Sequence, residues 1–198
     1  MATKLILIRH GVTGWNLEKR YCGFKDIILS KQGKKQAEKL RQRLNREKIH
    51  KIYSSDKKRA IQTAKITFKG MKVERVADLR EMHFGCFEGL THREIIKKHS
   101  RIYKKWLDDP FSIAIPKGEK LSAFKKRVVS TFKKIISSNR NKTIAVVCHG
   151  GSISIFMTSI LKTKDFWKNI PASGSLSIIE YKNGKPKIRI FNDASHLS

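Results

Sequence analysis

Leu5-Ile6-Leu7-Ile8-Arg9-His10-Gly11 is the stretch whose reading decides the fold. Four apolar residues run directly into an arginine, a histidine and a glycine. A continuous apolar run this short reads as a strand buried on both faces, as in a parallel sheet. Open α/β sheets bind ligands beyond the carboxyl ends of their strands, and Arg9 and His10 stand where this strand ends. Gly11 lets the backbone turn sharply or approach a ligand closely. A cation and an imidazole delivered to that edge point to an anionic ligand.

Working outward, residues 143–148 form a second buried run, closed by His149-Gly150-Gly151 much as His10-Gly11 closes the first. Ser30 caps an expected helix over 31–48, with Ala37, Leu40 and Leu44 on one face. Residues 49–53 are a short strand ending at Ser54-Ser55. Ser55 or Asp56 then caps a helix whose apolar stripe is Ala60, Ile61, Ala64 and Phe68, which puts Arg59 in its first turn at the same edge. Residues 71–76 are a weaker strand candidate. The clearest amphipathic helix covers 119–136, with Leu121, Phe124, Val128, Phe132 and Ile135 at helical spacing, and 152–161 is a further helix. Asn183-Gly184 between the apolar runs 175–181 and 186–191 signals a two-residue hairpin. From 78 to 118 the periodicity fades among Gly85, Gly89, Pro110 and Pro116, with one short helix around 93–99. Such an excursion reads as a substrate-covering loop. The expected fold is α/β: a three-layer α/β/α sandwich with a mostly parallel central sheet and a C-terminal antiparallel hairpin, in one domain over 1–198.

Composition narrows the function. The chain has 198 residues, 39% hydrophobic and 30% charged, which is the composition of a globular domain with a sizeable core. No apolar run approaches the roughly 20 residues of a membrane span. Arg9 and His10 interrupt any secretory core near the start, so the expected location is the cytoplasm. Cys22, Cys86 and Cys148 are far apart and odd in number, which points to neither a disulfide framework nor a zinc site. The formal net charge is +28, from 44 Lys+Arg against 16 Asp+Glu. That balance suits nucleic acid, an acidic membrane surface or a phosphorylated substrate. The cations come as scattered pairs, such as Lys34-Lys35 and Lys97-Lys98, with no block and no aromatic RNA-binding motif. They read as a solvated surface, and neither nucleic acid nor a membrane is an expected partner.

Three strand ends therefore bring Arg9, His10, Arg59 and His149 to one edge. Arginine holds phosphate oxygens bidentately and keeps its charge. A neutral imidazole can attack phosphorus and form a covalent intermediate, and fixed cations stabilise charge on the equatorial oxygens. A general acid is still needed for the leaving alkoxide; Glu81, Glu88 and Asp78 compete for that role. Successive strand residues point to opposite faces, so Cys148 and His149 do not form a thiol dyad. His83, His92 and His99 read as surface or loop residues.

The stretch Leu7 to Asn16, with Arg9-His10-Gly11 at its centre, resembles the signature of the histidine phosphatase superfamily, the phosphoglycerate mutase-like group. Ser54-Ser55-Asp56 with Arg59-Ala60 and Thr63-Ala64, then Leu79 to Gly89, then Val146 to Gly151, resemble its later motifs in the same order. The resemblance implies a metal-independent phosphomonoesterase with no cofactor. His10 would be the nucleophile that becomes phosphohistidine, and Glu81 the proton donor. Arg9, Arg59, His149 and Asn16 would line the phosphate pocket, with Gly150 beside it and Thr13 at a substrate-facing position. The substrate would be a small phosphorylated metabolite of the α-ribazole phosphate or sugar phosphate type, and the closest likeness in character is to small phosphatases such as α-ribazole phosphatase. A bisphosphoglycerate-dependent mutase is the alternative, and a non-catalytic basic binding module a third reading. Monomer and homodimer both stay open. The sequence departs from the family pattern at Ile27-Ile28, Lys120 and Ser154.

Overall fold

The computed structural model describes residues 2–198. Six strands form one sheet in the order β3-β2-β4-β1-β5-β6. They are β1 (Thr3–Arg9), β2 (Lys51–Ser54), β3 (Val73–Arg75), β4 (Thr143–Cys148), β5 (Leu176–Lys182) and β6 (Lys185–Asp193). The first four are parallel; β5 runs antiparallel to β1 and to β6. The helices are α1 (Gly14–Leu17), α2 (Lys31–Arg43), α3 (Lys58–Thr67), α4 (His92–Asp108), α5 (Leu121–Ser137) and α6 (Gly150–Leu161).

The apolar run of β1 is divided between two cores. Leu5 and Leu7 face one, with Phe124, Val128 and Phe132 of α5 and Ile153 and Phe156 of α6. Ile6 and Ile8 face the other, with Leu40 of α2 and Ala60 and Ala64 of α3. In β4, Val146 and Val147 divide the same way. A strand buried on both faces reads as unbroken apolar sequence. The result is the expected three-layer α/β/α arrangement, and β1 and β4 lie side by side with helices leaving to opposite faces. That is a topological switch point, where such sheets bind ligands.

The Ser30 side chain caps α2 by accepting the Gly33 N–H at 3.0 Å, as expected, although the helix ends at Arg43. The β5–β6 turn is made by Asn183 and Gly184 at φ 51° and 74°, the left-handed pair a tight hairpin requires. Two expectations fail. Neither Ser55 nor Asp56 caps α3: Lys57 stands at the N-cap without a side-chain bond. Ser55 instead meets His149, and Asp56 accepts from Arg80 Nε at 2.7 Å. The 78–118 excursion also holds a 17-residue helix, α4, where only a short one around 93–99 is expected. Charged residues separate its buried anchors Ile95, Tyr103 and Trp106, and His99 breaks its geometry at φ −142°, so the sequence repeat is interrupted where two helical pieces meet at a kink. Thr91 starts it with a capping box to Glu94.

Candidate active site

The register of β1 against β4 ends with Arg9 opposite Cys148. The His10 N–H donates to the Cys148 carbonyl at 3.0 Å, so His10 and His149 emerge together. Their ring centroids lie 5.2 Å apart, edge to face. His10 Nδ1 is 2.8 Å from the Gly11 carbonyl, which can only accept, so Nδ1 carries the proton and Nε2 a lone pair. Arg59 Nε donates toward that Nε2 at 3.3 Å. The rest of the Arg59 guanidinium is tied to the loop before α2, donating to the carbonyls of Lys25 at 2.9 Å and Gly23 at 2.8 Å. Arg9 Nη1 donates to the Pro171 carbonyl. Arg59 and His149 are wholly buried, and His10 is only 4% exposed.

Glu81 comes from the loop between two short 3₁₀ turns, Ala77–Leu79 and Gly85–Phe87. Its carboxylate accepts the Met82 N–H at 2.9 Å and the Gly151 N–H at 2.7 Å. The second donor belongs to the first turn of α6, where unpaired N–H groups favour an anion. Gly151 is needed there, because a Cβ would lie 2.3 Å from Glu81 Oε1. Gly150 opens the same helix and packs beside the Arg9 guanidinium.

A cavity of about 300 Å³ opens onto this edge, lined by Arg9, His10, Asn16, Glu81, Gly150 and Gly151, with Lys19, Phe84 and Trp167 also in its wall. Four site residues named from the sequence, Arg9, His10, Asn16 and Gly150, thus share one space with Glu81, while Arg59 and His149 lie against His10. Thr13 is placed differently from the expectation. It is fully buried, absent from the cavity wall, and its hydroxyl exchanges bonds with Asn16 as the cap of α1. A larger cavity of about 810 Å³ lies by the amino end of β1 and the β5–β6 turn, but no imidazole or carboxylate lines it. Chemistry rather than size therefore locates the site.

Two contributors carry no site role in the sequence reading. Ser55 Oγ sits 2.8 Å from His149 Nε2, and Thr63 Oγ1 accepts the Gly11 N–H at 3.1 Å while donating to the Arg59 carbonyl at 2.8 Å. Both lie in the quoted Ser54–Ala64 motif, which was the one available signal.

Burial, then the Arg59 charge, holds both His10 and His149 well below the ordinary histidine value of 6.5, so both rings are neutral near pH 7. Burial pushes the Glu81 carboxyl above its ordinary 4.5, opposed by the two N–H bonds it accepts. Arg9 Nε and His149 Nδ1 are buried without a protein partner among the described residues. Buried polar atoms are ordinarily hydrogen-bonded, so an oxygen-rich anion suits the space between them.

The chain is similar to several known proteins over nearly its whole length. "Phosphoglycerate mutase-like protein 4" of Arabidopsis thaliana is 33% identical over 200 residues, covering 98% of this chain and 86% of that protein. "Phosphoserine phosphatase 1" of Hydrogenobacter thermophilus is 31% identical over 198 residues, covering 98% and 94%. The solved structure of a phosphoserine phosphatase from Entamoeba histolytica, in complex with 3-phosphoglyceric acid, superposes with a TM-score of 0.90 at 30% identity, covering 99% and 100%. The model of the histidine phosphatase superfamily (branch 1) matches residues 5–194. The chain belongs to that superfamily, and its enzyme class is phosphoric monoester hydrolase.

Proposed function

We propose that this enzyme hydrolyses small phosphomonoesters through a phosphohistidine at His10, without a metal ion. The observation that carries the reading is the fixed tautomer of His10: Nδ1 donates to the Gly11 carbonyl, and the Nε2 lone pair faces the buried cations. That lone pair attacks phosphorus and the bond from phosphorus to the leaving oxygen breaks. Glu81, its carboxyl raised by burial, gives the leaving oxygen its proton. The resulting carboxylate then takes a proton from water, the water oxygen attacks phosphorus, the P–N bond breaks and inorganic phosphate leaves. Arg9 and Arg59 supply the positive charge that balances the transferring oxygens. His149 takes the role of a donor through Nδ1, the ring nitrogen without a protein partner among the described residues, in the tautomer in which the Ser55 hydroxyl 2.8 Å away donates to Nε2. Asn16 and the Gly150 turn complete the phosphate cradle.

The substrate belongs to the class of small phosphorylated metabolites, a size supported by the cavity of about 300 Å³. Within that class, phosphoserine-type substrates stand beside the α-ribazole phosphate and sugar phosphate types, because two of the compared proteins are phosphoserine phosphatases. The mutase-like relative keeps a bisphosphoglycerate-dependent mutase as the second reading. As part of the same proposal, residues 1–198 act as one cytoplasmic domain; no helix among the described residues is long and apolar enough to cross a membrane.

The test is phosphate release from phosphoserine and from 4-nitrophenyl phosphate in excess chelator, wild type against His10→Ala. Release that disappears in the variant is expected. Release that persists in His10→Ala, or that stops in chelator, refutes the mechanism; isomerisation of phosphoglycerate without release selects the mutase.

A further inference from the structure

We propose that Arg127 is a positioning residue for the Glu81 acid, an inference that rests on Glu81 being the proton donor. Glu81 lies outside any helix or strand, so no ladder fixes its backbone. Buried carbonyls in such a loop need partners. Here four consecutive carbonyls, from the exposed Asp78 to the buried Glu81, lie within hydrogen-bond reach of side chains of two helices. Arg127 of α5 donates to the carbonyls of Asp78 at 2.9 Å, Arg80 at 2.8 Å and Glu81 at 2.9 Å. The single hydroxyl proton of Ser152 of α6 is shared between those of Leu79 at 3.2 Å and Arg80 at 3.0 Å.

The guanidinium is itself held. Its Nε and Nη2 donate to the two oxygens of Glu119, each at 2.7 Å. An arginine has five N–H donors in a rigid fork, and these contacts engage all of them. Glu119 reaches the far side of the acid loop as well: its N–H donates to the His83 carbonyl at 2.9 Å. Glu81 is thus gripped on both sides in sequence by one ion pair whose side chains are 20% and 17% exposed. A lysine cannot reproduce this grip, because its ammonium presents three donors at a single point. Arg127 does not itself line the cavity and makes no hydrogen bond to His10, so it acts through the backbone of the acid loop and not on substrate.

The experiment compares Arg127→Met, Arg127→Lys and Glu81→Gln on an alkyl phosphate, which needs a proton donor, and on 4-nitrophenyl phosphate, which scarcely does. A loop displaced by about 1 Å predicts a fall of about 10²-fold in kcat on the alkyl substrate. The aryl rate stays within about threefold and KM changes little, since the loss falls on the acid alone. Arg127→Lys gives the same selectivity although it keeps the charge, and it decides the matter if Arg127→Met does not fold. Equal loss on both substrates in a folded Arg127 variant, or no loss on either, overturns the inference. If Glu81→Gln itself lowers both rates equally, the reading of Glu81 fails; if only Glu81→Gln is selective, the positioning role alone fails.

Discussion

The contact between Gly151 and Glu81 allows a stringent test by adding a single methyl group. In Gly151→Ala the new Cβ would start 2.3 Å from Glu81 Oε1 and 2.9 Å from its Cδ. The carboxylate must retreat by at least about 0.7 Å before that contact reaches even the tight limit of 3.0 Å. Retreat breaks the 2.7 Å bond from the Gly151 N–H and leaves a buried donor unpaired, which costs about 1–3 kcal/mol. Alanine recovers up to about 1 kcal/mol through its better helix propensity. The net loss of up to about 3 kcal/mol lowers Tm by up to about 12 °C in a domain of this size, so the protein still folds. Catalysis suffers more, because misplacing an acid by this distance costs about 10²-fold. Steady-state phosphate release from phosphoserine should fall by that factor, while release from 4-nitrophenyl phosphate falls little. A Gly151→Ala enzyme that folds and keeps its phosphoserine rate would refute the assignment of Glu81 and the reason given for glycine at 151.

Three further outcomes follow from the same coordinates. Ser55→Ala removes the hydroxyl that orients His149, and kcat/KM should fall about tenfold with KM on phosphate esters rising, as loss of the bond from a misoriented His149 to the phosphate anion, about 1.5 kcal/mol, implies; unchanged kinetics would deny His149 its donor role. Because His10 and His149 are held below 6.5, the unfolded chain binds more protons than the folded one just below that pH. Stability should therefore be intact above 6.5 and decline as pH falls beneath it, and His149→Gln should flatten the decline in chemical denaturation; a slope identical to wild type would contradict the burial argument. Asp56→Ala removes an ion pair whose side chains are 25% and 32% exposed, so the stability loss should stay below about 1 kcal/mol, and a larger loss by denaturant titration would give Asp56 a role beyond the surface pair.

Sequence alone carried β1, β4 and the hairpin, since each rests on a local signal: an unbroken apolar run, or Asn-Gly between two apolar stretches. Four motifs in order along the chain also named Arg9, His10, Arg59, Glu81 and His149 as candidate site residues, through their resemblance to a known family. The extent of α4 was not legible, since its anchors are spaced by lysines and a kink at His99. The resemblance gave Thr13 a substrate-facing position, yet its hydroxyl serves the α1 cap and Thr13 does not line the cavity. Only the tertiary structure decided what joins the site together. The β1–β4 register sets His10 beside His149, Ser55 meets a ring 94 residues away, and Arg127 reaches the Glu81 carbonyl across 46 residues. Those contacts run from side chains to distant rings and backbone carbonyls. They leave no periodicity and no local composition in the chain, so they exist only once the layers have packed.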